Sequence, residues 1–231
     1  MYYGLETSLT MIIFFAAIII TLYAQFKINS AYSKYKKKTA SKNLTGSDVA
    51  RQILEKNGLS NVYVVETKGE LTDHYDPTRK VVKLSSEIYS GNSIASISVA
   101  AHECGHAIQD KDNYKFMRIR AALVPFVNLV SYLGYFGLLV SLFAGVTGYL
   151  KISLITLVAT FIFQLVTLPV EFDASKRAMK ELEKLGLVSP TDQKGVKSML
   201  SAAAFTYVAS LLSTLLNMLR IIIMINDRDN R

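Results

Sequence analysis

Residues 9–26 (LTMIIFFAAIIITLYAQF) carry no charged side chain. As a helix they would extend about 27 Å at 1.5 Å per residue, close to the hydrocarbon thickness of a bilayer. Three further apolar runs, at 119–143, 152–170 and 202–225, are each long enough to span. Between the first and second runs the pattern shortens. Residues 45–117 predict an α+β segment that opens with a helix at 47–57 ended by Gly58. Two short strands rich in β-branched residues follow at Val62–Glu66 and Lys80–Leu84, with turn signals at Gly69 and Asp76–Pro77 between them. A helix from about Asn92 to Gln109 completes the segment. Residues 171–200 predict a second polar, helical stretch. The whole pattern predicts a mainly α membrane protein: about four transmembrane helices and a small α+β segment in a single domain over 1–231.

Composition sharpens this picture. At 51% hydrophobic residues the chain is too apolar for an ordinary soluble fold. The net charge of +8 does not point to nucleic acid, because the cations flank apolar runs and answer to anionic lipid and topology. Lys27, Lys34, Lys36, Lys37, Lys38 and Lys42 follow the first run without an intervening acid. Lys111, Lys115 and Arg118 precede the second run, with Arg120 at its very start, and Lys176, Arg177, Lys180 and Lys184 follow the third, whereas the loop between these runs holds only Lys151. Both polar segments are therefore expected in the cytoplasm of a multi-pass cell-membrane protein, with both termini outside. Met1–Thr10 contains Glu6 and no Lys or Arg, so the first run is expected to persist as an anchor rather than a cleaved leader. Arg220 lies inside the last run, which either spans with Arg220 snorkelling or stops short at the interface. Cys104 is the one cysteine, so no intramolecular disulfide forms.

The candidate chemistry is concentrated in His102-Glu103-Cys104-Gly105-His106. On a helix His102 and His106 are one turn apart and project from one side, as two ligands of a tetrahedral metal require. Glu103 beside them is suited to take a proton from a metal-activated water and to return it to a leaving amine. Ile94, Ile97, Ala101, Cys104 and Ile108 form a separate apolar stripe, which assigns Cys104 to the core. The alternative is a pair of helical histidines packed structurally beside a surface glutamate. A third ligand is needed. Glu171, after the third apolar run, can complete a two-His, one-Glu site, or else is an ordinary first-turn acid after Pro169. Asp112 stands where a metzincin has its third ligand, but Gln109 occupies the position of that motif's turning glycine. His74 either binds metal, or serves catalysis by donating to a tetrahedral oxyanion, or is a turn histidine tied to Asp73 or Asp76.

The HECGH helix, the upstream LTDHYDP turn, the LPVEFDASKRA segment and the order of apolar spans resemble the YugP-type family of membrane neutral zinc metallopeptidases, over nearly the whole chain. More distantly the chain is similar to CAAX-processing-type integral-membrane gluzincins. The resemblance implies a zincin-like cytoplasmic segment, one Zn2+ ion on His102, His106 and Glu171, and Glu103 as general base. It also implies a peptide or protein substrate, membrane proteins included. In the distant relatives an aspartate four residues after the glutamate supports a ligand histidine; Ser175 stands there, so that support is not carried over. Asp173 does not replace it, since two residues along a helix points elsewhere. The competing class is a non-catalytic metal-binding scaffold, for which Ser210, Ser213, Asn217 and Arg220 would offer a partner face rather than one turned into the bundle. Such a scaffold has no need of Glu103.

Overall fold

The computed structural model describes residues 2–144 and 149–229. In chain order the elements are α1 (Tyr2–Tyr35), α2 (Gly46–Lys56), β1 (Tyr63–Thr67), β2 (His74–Asp76), β3 (Val81–Ser85), α3 (Ser86–Ser90), α4 (Ile94–Lys111), α5 (Lys115–Ala144), α6 (Tyr149–Lys184) and α7 (Pro190–Asp229). Two compact units emerge. One comprises Met1–Gln25, Ile119–Leu168 and Thr206–Arg231; the other comprises Phe26–Arg118 and Pro169–Phe205.

The first unit is helical. Among the described residues four helices, α1, α5, α6 and α7, are long and apolar enough to cross a membrane, which supports a multi-pass membrane location. Their outward residues agree: Leu22, Leu133, Phe136 and Ile155 are all more than 60% exposed, a surface that water would not tolerate. Several polar groups bond within the unit. Ser213 donates to the Ala17 carbonyl at 3.0 Å, and Asn217 donates back to the Ser213 carbonyl at 2.8 Å. The Arg220 guanidinium lies 4.6 Å from the Phe14 ring centroid, and α7 continues through it to Asp229. Ser213, Asn217 and Arg220 thus bond or stack inside this unit, as a face turned into a bundle does.

The second unit is the mixed α+β part. Thr45 and Asp48 form a reciprocal capping box at the start of α2, and Gly58, at φ +70°, lets the chain leave the helix. The sheet order is β1-β3-β2, with β3 parallel to β1 and antiparallel to β2. One expectation changes here. The LTDHYDP stretch, read as a turn, contributes the third strand, β2. The 80–84 region supplies the central strand, paired on both sides. The α4 stripe is as predicted: Ile94, Ile97, Ala101 and Cys104 are fully buried and Ile108 nearly so. Each buried isoleucine contributes about 1.5–3 kcal/mol, and together they fix the rotation of α4, so its polar side has one direction to face. Cys104 Sγ rests 3.6 Å from the Ala50 carbonyl of α2, in the core.

Candidate metal centre

The site is built where α4 crosses α6. Gly105 explains how closely they approach, since a Cβ there would lie 2.5 Å from the Ala174 carbonyl oxygen. Only glycine fits without pushing α6 away. Glu171 lies one turn before Ala174, and the crossing presents its carboxylate to both histidines. His102 Nε2 is 3.2 Å and His106 Nε2 3.6 Å from Glu171 Oε2. Ligand atoms of the three residues all fall within 4.8 Å of one another. Glu171 is not a first-turn acid, because α6 runs unbroken through Pro169 and places it in mid-helix, 2% exposed.

The outer partner of His106 fixes which of its ring nitrogens donates. Gln109, fully buried, donates its amide to the Val170 carbonyl at 2.7 Å and to Asp173 Oδ2 at 2.9 Å. Its Oε1 is then the acceptor for His106 Nδ1 at 3.0 Å. Ser175 Oγ lies 3.2 Å from His102 Nδ1 and can accept from it. Where each Nδ1 donates, loss of the Nε2 proton shared with Glu171 leaves a lone pair beside that carboxylate, the donor set and tautomer that zinc requires. Ser175 therefore does reach His102, the contact that the distant resemblance did not carry over. Asp173 acts one step removed, through Gln109, while Arg177 bonds it at 2.6 Å. Neither contact could be read from spacing alone, as each depends on the angle at which α4 and α6 cross.

Electrostatics favour a cation here. Burial disfavours protonation of His106, but its hydrogen bond to Glu171 and the charges of Glu103 and Glu171 outweigh this and raise its pKa. The same negative field attracts a metal.

Glu103 is buried next to the cluster on the same helix. Its Oε2 accepts the backbone N–H of Tyr75 at 3.0 Å, so β2 holds the carboxylate from above the helix. Tyr75 is clamped at its other end, where its hydroxyl donates to Asp110 Oδ2 at 2.7 Å. Lys80 and Arg118 also meet Asp110, at 2.6 and 3.0 Å. Burial opposes ionisation of Asp110, yet the bonds from Lys80 and Tyr75 and the two cationic charges hold its pKa below the usual range. Sequence reasoning missed Tyr75, Gln109 and Asp110. The recurrence of Asp110 two helical turns after Glu103 was the one available signal.

His74 and Asp112 lie outside the cluster. His74 is exposed on β2 with Nδ1 donating to the Thr72 carbonyl at 2.7 Å, so its neutral ring offers Nε2 only as an acceptor. Asp112 caps the end of α4 and pairs with Arg177 at 2.5 Å. Asp73, next to His74, accepts from the Ser85 backbone N–H at 2.7 Å. Its pKa is raised by burial, with the charge of Glu103 adding to the effect.

Comparison with known proteins agrees with this geometry. The chain is 44% identical over 215 residues to "Putative membrane protease YugP" of Bacillus subtilis (strain 168), covering 93% of this chain and 96% of that protein. No solved structure matches the chain. Residues 10–226 match the model of one family, and the chain belongs to that family, described as "Putative neutral zinc metallopeptidase".

Proposed function

We propose that the protein is a membrane-bound zinc metalloendopeptidase in which His102, His106 and Glu171 hold one Zn2+ ion and Glu103 is the general base. The observation that carries this reading is the convergence of the three ligand atoms within 4.8 Å beside a buried glutamate on the same helix. Three protein ligands characterise catalytic zinc, which keeps an open position, whereas structural zinc is closed by four. Bound there, the ion supplies Lewis acidity to the peptide carbonyl and lowers the pKa of water. The residues do the rest. Glu103, oriented by the Tyr75 N–H, takes the proton of the attacking water on its other oxygen and delivers it to the departing amine. Ser175 and Gln109 keep the two imidazoles in their ligating tautomers. His74, with Nδ1 committed to the Thr72 carbonyl, would have to serve the oxyanion from Nε2.

The lysine block after the first span supports a cytoplasmic site. A cysteine placed at Lys37 should then resist an impermeant thiol reagent in intact cells and react after lysis; labelling of intact cells would reverse the orientation.

The purified chain should contain one zinc per molecule and hydrolyse an unfolded protein, and chelation should abolish hydrolysis. Zinc with no hydrolysis of any protein tested would favour the scaffold reading. The raised pKa of His106 fixes the pH dependence. Below that pKa a proton occupies the ligand, and zinc must displace it, so zinc affinity should fall by about tenfold per pH unit as acid is added. Above it, affinity should level off. An affinity that does not fall on acidification would remove both histidines from the ligand set.

A further inference from the structure

A cavity of about 570 Å3 opens between α6 and α7 within the second unit. Its apolar lining is formed by Phe172, Met179, Leu200, Ala204 and Phe205. The same lining carries Lys176, Lys180 and Lys197 against a single acid, Glu183. Among the described residues none of these three ammonium groups is ion-paired. A fourth cation, Lys27, lies 4.4 Å from the Phe205 ring centroid. An apolar trough with unpaired lysines in its lining matches one chemistry: an anionic group attached to a hydrocarbon chain.

The lining also lies where each helix changes character. In α6 the apolar run 152–170 gives way to Lys176 and Lys180, and in α7 Lys197 precedes the apolar run 202–225. We infer that this cavity is a binding site for an anionic glycerophospholipid, its acyl chain on the Phe172–Leu200–Phe205 lining and its phosphate among the three lysines. The headgroup is bound electrostatically and the chain by apolar burial. Ser175 belongs to the cavity wall and also bonds His102, so an occupant would touch a group that orients a histidine of the metal cluster. The lipid site does not depend on peptidase activity.

The test is native mass spectrometry of the full chain in neutral detergent, with phosphatidylglycerol or phosphatidylcholine of identical acyl chains. Phosphatidylglycerol should be retained at a lower concentration than phosphatidylcholine. Each lysine near the phosphate is worth about fivefold, so Lys176→Gln with Lys180→Gln should lower phosphatidylglycerol affinity by roughly 25-fold. Lys56→Gln with Lys68→Gln, the same charge change on exposed residues away from the cavity, should leave it unchanged. Ser201→Trp, which fills the cavity and spares the lysines, should weaken retention of both lipids. Equal retention of the two lipids, or an equal response to the two lysine pairs, would overturn the proposal. Retention of an acidic, apolar peptide with no lipid preference would overturn it too, and give the cavity to a polypeptide.

Discussion

Glu103→Gln should retain zinc and the fold while lowering kcat by about 10²–10⁴-fold, the range that a general acid–base contributes. The substitution is informative because of the bond from Tyr75. A glutamine carbonyl accepts the Tyr75 N–H in the place of Oε2, so β2 stays attached and no buried donor is left unpaired. Only the ability to take and return a proton is lost. Glu103→Ala makes a useful contrast. It strands that N–H at a cost of about 1–3 kcal/mol, so it should lower stability as well as turnover. With chemistry slow relative to substrate dissociation, KM for Glu103→Gln should stay near the wild-type value. Hydrolysis by Glu103→Gln at close to the wild-type rate would exclude Glu103 as the base.

How much of this was legible beforehand depends on the range of the interaction. The apolar runs, the α4 stripe and the i, i+4 histidines are patterns within one helix, and periodicity reports them directly. The pairing of Glu171 with the motif was reached through chemistry and resemblance, since 69 residues separate His102 from Glu171. What was not legible arises from tertiary contacts. β2 is three residues long, too short to carry an alternation, and it exists because β3 pairs with it and α4 receives Tyr75. Gln109 was weighed only as a missing glycine; its role as the acceptor for His106 required Val170 and Asp173 to be in place. Pro169 suggested a helix start, yet α6 continues through it. Gly105 is the instructive case. Within HECGH it looks like a filler between two ligands, but it sets the approach of α6 that makes the third ligand possible.

The largest effect on the metal is expected at Glu171. Glu171→Ala removes the anionic member of the cluster and the ligand that α6 would supply, leaving two imidazoles one turn apart on a single helix. Outer partners of a ligand typically affect metal affinity by about 10–100-fold. Ser175→Ala and Gln109→Leu should fall in that range, and Glu171→Ala should exceed about 100-fold, with hydrolysis lost in step. Asp112→Ala should leave zinc bound, because Asp112 is 43% exposed and is spent on Arg177 rather than on the cluster. His74→Ala should also leave zinc bound, and any loss should appear in turnover. Metal analysis after dialysis against a graded chelator separates these outcomes, since it reads occupancy without requiring activity. If Glu171→Ala keeps full zinc at wild-type affinity while Asp112→Ala or His74→Ala releases it, the ligand set proposed here is wrong. The approach of α6 to α4 at Gly105 would then serve packing alone.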